Sequence, residues 1–547
     1  MGLYASSDSI KRESVMISAT TCNDFGSKVA SHSGPRWQWR TALLAVLSGL
    51  VMSMPAVSAQ LVRTTLGELR GTSSDGIDVW RGIPYAAPPV AALRWRPPQP
   101  AAAWKGIRDA TRFGPICPQD ERPGSKGAAQ SEDCLTLNVY APAKRAAAGL
   151  PVMVWIHGGS FRWGAGSLPA YDGSAFARQG VVLVTLNYRL DRLGRFGHPA
   201  LTRAQADEPL ANYGLMDQIA ALHWVRDNIA AFGGDPQRVT IFGFSAGGVS
   251  VNGLMAAPSA RGLFQRAIAQ SGGISMDAGQ RLREPAGRFK ALEQDGLEFA
   301  ASLGIADDDQ APARLRALSV AQILAYPQKD SSMNPVVDGR LIPDDIWRIF
   351  QGGRQAPVPY LAGANSWEGS LIRPFKLPMP AILFGVTPER ARQVYGDLPD
   401  EALKETYFGD ALFIAPAWML AADMAAARAP AWLYYYSYVD DADRGRVPGA
   451  AHGAEVSHLF QQPLRPDAKL SDHDLAVSEP LRRYWLQFAR AGDPNAPGLP
   501  EWPAFTREKP ATMEFGERPE LHPALFPKRM AFQESLVEAV RAARKAH

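Results

Sequence analysis

The sequence predicts an α/β fold: a mainly parallel central sheet with helices on its faces. Three observations predict it. Short apolar runs of strand length recur along the chain, helical periodicity fills the gaps between them, and one run leads directly into a Gly-X-Ser-X-Gly turn. The runs are 152–156 (VMVWI), 181–186 (VVLVTL), 239–242 (VTIF), 267–269 and 358–362, continuous enough to read as strands buried on both faces. Between the second and third, Leu215, Ile219, Leu222, Ile229 and Phe232 recur at spacings suited to one face of an amphipathic helix, which Gly233-Gly234 ends. Strands alternating with helices imply parallel pairing through right-handed crossovers. The stretch 277–430 is richer in helical patterns and is expected to pack as a cap or lateral subdomain.

Composition narrows the class. Of 547 residues, 46% are hydrophobic and 20% charged, enough to bury a large core. Length alone would suggest roughly three or four domains. A net charge of +4 and the lack of a long basic run supply no field suited to a nucleic-acid partner. Near the start, Arg36 and Arg40 precede an apolar run at 41–54, followed by Pro55-Ala56-Val57-Ser58-Ala59. A basic region, an apolar core too short for a bilayer span and a small-residue site together read as a secretory signal, with an uncleaved anchor as the alternative. The chain is therefore divided into a leader, 1–59, and a mature part, 60–547, with no stable membrane span after cleavage.

Cysteine usage agrees with export to the periplasm or medium. Cys22 falls in the leader, which leaves Cys117 and Cys134 around a polar loop. In an oxidising compartment an even pair reads as a disulfide, the alternative being two buried thiols. Closing a loop of about 18 residues stabilises by about 3 kcal/mol. Cys/His spacing suited to zinc is absent, so no metal site and no cofactor are expected.

The sharpest local signal is Gly243-Phe244-Ser245-Ala246-Gly247, placed after an apolar strand and before a small-residue run. In strand–turn–helix context this pattern forms a nucleophile elbow, with Ser245 raised above the sheet and a helix N-terminus beneath it. The whole run from Phe232 to Gly247 (FGGDPQRVTIFGFSAG) resembles the serine signature of the type-B carboxylesterase and lipase family. Glu132–Tyr140 (EDCLTLNVY) is similar to that family's second signature, around its N-terminal disulfide, and Arg81–Ala86 (RGIPYA) to an early motif. The resemblance runs from about residue 61 to about residue 530. It implies an α/β-hydrolase fold in one catalytic domain, with the helical stretch as an insertion.

A serine hydroxyl needs a base to take its proton. Most of the nine histidines fall in the leader, near the C-terminus, or in predicted strands and helices. His452, in GAAHGAE after the aromatic strand 432–438, is similar to the family's histidine motif and is assigned the base, with His458 as runner-up. Glu368, in ANSWEG after 358–362, resembles the family's acid, and Asp338 is the alternative. The order Ser245, Glu368, His452 is the α/β-hydrolase order. His157-Gly158-Gly159-Ser160 looks like the family's HGGG loop. By that match the oxyanion donors are the amides of Gly159, Ser160 and Ala246, with Gly158 shaping the turn. Ser160 stands where the family has a third glycine, and a need for positive φ there would be less comfortable for serine.

Phe161, Trp163 and Trp367 adjoin these motifs and are candidates to line an acyl or alcohol pocket. The loop between Cys117 and Cys134 holds no aromatic residue, which the cholinesterase branch would use to cage a quaternary ammonium. The expected function is an exported serine carboxylesterase acting on small-molecule esters through an acyl-enzyme. An interfacial lipase or a specialised polyester, feruloyl or toxin esterase is the alternative, and a non-catalytic adhesion module is argued against by the intact triad. The sequence leaves the natural ester and the oligomeric state open.

Overall fold

A computed structural model describes residues 58–545, apart from 123, 145–148, 275–278, 327–333 and 466. The apolar run at 41–54 that reads as a secretory signal, Cys22, His32, Asp277 and His547 lie outside the described residues, and of residues 1–59 only Ser58 and Ala59 are described. Those two open strand β1 (Ser58–Arg63).

One sheet organises the chain. Its further strands are β2 (Glu68–Ser74), β3 (Ile77–Pro84), β4 (Ile107–Asp109), β5 (Thr136–Pro142), β6 (Leu150–Ile156), β7 (Val182–Leu186), β8 (Gly234–Phe244), β9 (Arg266–Gln270), β10 (Tyr360–Asn365), β11 (Ala431–Tyr436), β12 (Thr512–Phe515) and β13 (Pro519–His522). They lie in the order β1-β2-β3-β5-β7-β6-β8-β9-β10-β11-β12-β13, with β4 beside β2. From β7 through β12 every pair is parallel. The flanks, β1-β2-β3-β5-β7 and β12-β13, are antiparallel. The large parallel sheet with helices on its faces is thus an α/β-hydrolase architecture, as expected.

The five apolar runs and the aromatic run all became strands, with shifted ends. The run at 358–362 is realised as β10, which starts after Pro359 and extends to Asn365. The aromatic run ends at Tyr436. The parallel strands β6, β7, β9, β10 and β11 are buried almost throughout, as strands covered on both faces must be.

The helix expected to be amphipathic is corrected in two ways. It spans Tyr213–Asn228, and Ile229–Phe232 continues as a single 3₁₀ turn, capped by Gly233 at φ 89° while Gly234 already belongs to β8. It is also buried nearly all round, with only Arg226 and Asp227 exposed. Its polar residues Asp217 and Gln218 face inward and are satisfied there. Asp217 holds Arg189 through two side-chain bonds of 2.7 and 2.8 Å, and Gln218 donates to Ser250 at 3.1 Å.

Among the described residues, Asp400–Ala426 is the one helix long and apolar enough to cross a membrane, and 67% of its most apolar window is buried inside the protein. A π-helical segment, Asp410–Ile414, interrupts it.

Candidate active site

Ser245 sits where β8 meets the helix Ala246–Ala256. Its backbone is strained, with φ 56° and ψ −124°. The neighbouring strand holds it there, since Ser245 N–H donates to the Gln270 carbonyl at the end of β9 (2.9 Å). The flanking glycines serve close approach. A Cβ on Gly247 would lie 2.0 Å from the Ile156 carbonyl oxygen, and one on Gly243 2.5 Å from the same atom. Neither glycine has positive φ; the serine does.

Glu368 follows β10 and His452 follows β11, adjacent strands of the parallel sheet. Ser245, Glu368 and His452 therefore all lie beyond the carboxyl ends of parallel strands, where open α/β sheets hold their sites. The loops that carry Glu368 and His452 are laced together. Trp367 N–H donates to the Ala450 carbonyl at 2.8 Å, Ala450 N–H to Ser366 Oγ at 2.8 Å, and His452 N–H to Ser370 Oγ at 3.0 Å.

The lacing brings His452 Nδ1 into a short hydrogen bond with Glu368 Oε2. The other carboxylate oxygen accepts from Ser271 Oγ at 2.5 Å and Asn365 N–H at 2.8 Å. With Nδ1 facing a carboxylate, it carries the proton, and Nε2 is left as the basic nitrogen. Nε2 is buried and has no hydrogen-bond partner. No hydrogen bond joins Ser245 to His452 in this structure, although Phe244, next to the serine, packs its ring 5.5 Å from the imidazole.

A second buried carboxylate, Glu455, stands behind the pair. It accepts from Asn365 Nδ2 at 2.6 Å and Gln270 Nε2 at 3.1 Å. Burial by itself would lower the pKa of His452. The charge and hydrogen bond of Glu368, with the charge of Glu455, outweigh it and leave the pKa raised above 6.5. The roles of Ser271, Asn365 and Glu455 were not legible in the sequence; the only signal was that each lies within four residues of a strand end or of His452.

The alternative acid and base are otherwise engaged. Asp338 caps a turn, accepting from the N–H groups of Ile342 (2.8 Å), Arg340 and Leu341 (both 3.3 Å). His458 is fully buried and bonds Asp440 at 2.8 Å.

The His157–Ser160 turn leaves β6 beside β8, with Ile156 in register with Gly243. His157 is buried and stacked on Tyr188 at 4.4 Å, and burial pulls its pKa down to about 4 against the opposing bond to Gly158. It is therefore neutral at pH 7, and its Nδ1–H donates to the Gly158 carbonyl at 2.7 Å. Among the described residues, the N–H groups of Gly159 and Ser160 have no protein acceptor. Ala246 heads its helix, where an N–H has no intrahelical partner. Ser160 is exposed and does take positive φ, 55°.

Phe161, Trp163 and Trp367 are half-buried. Phe161 leans on the main core. Trp163 lies under the Arg122 guanidinium at 4.5 Å, and Trp367 donates its indole N–H to Glu405 at 2.7 Å beneath Arg373. Cys117 and Cys134 are joined as a disulfide.

Comparison with known proteins agrees with this fold. Residues 58–395 and 389–533 match the model of the carboxylesterase family. Fumonisin B1 esterase of Sphingopyxis macrogoltabida is 36% identical over 486 residues, 84% of this chain and 87% of that protein. Para-nitrobenzyl esterase of Bacillus subtilis (strain 168) is 34% identical over 477 residues, 83% and 94% of the two chains. A solved structure of a PNB esterase superposes with a TM-score of 0.74 at 33% identity, covering 85% of this chain and 97% of its own. With a strained serine on a strand–helix turn and an acid-bound histidine at the same sheet edge, the chain belongs to the carboxylesterase family and is a carboxylic ester hydrolase.

Proposed function

We propose that this protein is an exported serine carboxylesterase that cleaves small to medium esters through an acyl-enzyme. Ser245 Oγ attacks the ester carbonyl carbon while His452 Nε2 takes its proton, and Glu368 holds the imidazole and stabilises its cation. The oxyanion is met by the N–H groups of Gly159, Ser160 and Ala246. His452 then returns the proton to the leaving alkoxide as the acyl-enzyme forms. Water, deprotonated by the same nitrogen, attacks the acyl carbon; the bond to Ser245 Oγ breaks, His452 gives Oγ its proton, and the carboxylic acid leaves. The observation that carries this reading is the His452–Glu368 bond, which leaves a buried, unpartnered Nε2 next to the turn that raises Ser245.

Export is supported by the Cys117–Cys134 disulfide and by the basic-then-apolar pattern before residue 60. The reading of the mature part as one catalytic domain is supported by the single sheet from β1 to β13. Phe161, Trp163 and Trp367 are proposed to line the ester pocket, since each keeps an unburied portion beside a catalytic loop.

The test is kinetic. A p-nitrophenyl ester should give a burst of p-nitrophenol and then steady turnover. His452→Ala and Glu368→Gln should each lower kcat by orders of magnitude and add little to Ser245→Ala, because the triad acts as a unit. A mild Glu368→Gln with a crippling Asp338→Asn would show the acid to be misassigned. A second reading, activity on aggregated lipid esters, is favoured by exposed Leu371, Phe375 and Phe384 just past Glu368. Chain-length profiling with and without emulsified triglyceride separates the two. Fumonisin B1 and p-nitrobenzyl esters, named for the relatives, belong in the first substrate panel.

A further inference from the structure

The loop that carries Gly159 and Ser160 is gripped from behind by a residue of the disulfide loop. Gln119 lies two residues past Cys117 and is 5% exposed. Its side-chain amide pairs with the backbone of Gly164 in both directions: Oε1 accepts from Gly164 N–H at 2.8 Å, and Nε2 donates to the Gly164 carbonyl at 2.9 Å. The second Nε2 hydrogen goes to the Cys117 carbonyl at 2.9 Å. Gln119 N–H is itself held by Gln130 Oε1 at 2.8 Å. Both donors of the amide are thus spent, one on each loop.

Gly164 follows the turn that begins at Gly159. Within it, Arg162 and Trp163 N–H both donate to the Gly159 carbonyl, at 2.9 and 3.0 Å. Gly164 backs directly onto His157. With φ 114°, a Cβ there would lie 2.4 Å from His157 Nδ1 and 2.7 Å from the Gly158 oxygen, the two atoms already joined by a hydrogen bond. A peptide group is planar, so the direction of the Gly158 carbonyl fixes the direction of the Gly159 N–H. Anything that lets Gly164 move frees His157 and the Gly158 carbonyl, and with them the aim of that amide.

We propose that Gln119 is a positioning residue, which ties the disulfide loop to Gly164 and thereby holds the Gly159 and Ser160 amides in line with the developing oxyanion. The proposal rests on the reading of those amides as the oxyanion donors. It assigns the Cys117–Cys134 loop a part in transition-state stabilisation through a buried amide. Losing an oxyanion donor outright costs about 10²–10³ in kcat; a donor loosened but present should cost less.

The full chain is compared with Gln119→Leu, which fills similar space without hydrogen bonds, and Gln119→Glu, which keeps the acceptor for Gly164 N–H and loses both donors. The readouts are kcat and KM for p-nitrophenyl butyrate across pH, and the affinity of an alkyl trifluoromethyl ketone, whose adduct with the serine carries an oxyanion. The expected result for Gln119→Leu is a fall in kcat of about 10–100-fold with KM within about threefold. Ketone affinity should fall by the same factor as kcat/KM, the acid limb of the pH profile should stay in place, and Gln119→Glu, whose carboxylate faces the two carbonyls the amide served, should lose at least as much. The proposal is overturned if folded variants keep kcat within about twofold, if the loss lies in KM alone, or if ketone affinity is unchanged while kcat drops. Should Gln119→Leu not fold, Gln119→Glu decides by the same criteria. If Ser245→Ala binds the ketone as tightly as the unmodified chain, the site reading itself has failed and the proposal falls with it.

Discussion

Ser160 is the residue at which this chain departs from the family it resembles, and the structure sharpens what that means. Its φ of 55° is a conformation that glycine adopts freely, and its side chain is exposed. Ser160→Gly keeps the N–H and relieves the backbone, so kcat/KM should change by less than about tenfold, or 1.4 kcal/mol. Ser160→Pro removes the N–H and forces φ near −65°, so it should cost at least the ~10²–10³ of a lost donor. Steady-state kinetics on folded variants checks both; a Ser160→Gly loss beyond about a hundredfold would make the hydroxyl a working group. His452 gives a second residue-scale prediction. In the proposed mechanism only its neutral form takes the serine proton, and its pKa is raised, so kcat/KM should rise with pH through a midpoint above 6.5. Glu455→Gln removes one of the charges that raise it and should move that midpoint to lower pH; a midpoint that stays put or rises would discount Glu455. The motif residues were legible in the sequence because each is embedded in a local signature. Ser271 and Glu455 were not, since the fold alone brings them to Glu368 and Asn365, residues 97 and 90 positions away in sequence.

At the scale of elements, legibility followed unbroken apolar runs. The parallel strands β6 to β11 were readable as continuous apolar runs because both faces are covered; β12, four residues long, was not. The flanking strands escaped, β5 included, where Thr136 and Asn138 break the apolar run although the strand is buried almost throughout. β2 reads ELRGTSS and is only partly buried, and β4 reads IRD and is wholly exposed, so neither shows a hydrophobic period. The helix Tyr213–Asn228 misled in the opposite sense, because Asp217 and Gln218 suggest a wet face but are buried with partners on other elements. The elbow shows a third kind of constraint. Its glycines are demanded by the nearness of β6, which no local pattern reports. Gly247→Ala places a methyl 2.0 Å from the Ile156 carbonyl, backbone that cannot swing aside. It should destabilise the fold by about 1–3 kcal/mol or more, and lower kcat as the turn under Ser245 is pushed out. Thermal unfolding and turnover measured together check this. An unchanged melting temperature with full activity would contradict the packing described.

For the whole molecule, the length that suggested several domains is absorbed by a single wide sheet, with long excursions between β9 and β10 and between β10 and β11. The disulfide closes a loop at one flank of that sheet. Peptide mapping of exported protein without reduction should find Cys117 joined to Cys134, and its removal should cost a few kcal/mol at most. Two free thiols in exported material would contradict both the bridge and the compartment argument. The central claim concerns the one atom on which the rest of the molecule converges, Ser245 Oγ. Its most direct test is titration of the full chain with a fluorophosphonate, followed by mass spectrometry of the digested protein. The account predicts one equivalent of label on the Ser245 peptide, incorporated in step with the loss of esterase activity and absent from Ser245→Ala. Label on any other residue, or esterase activity that survives full labelling of Ser245, would contradict it.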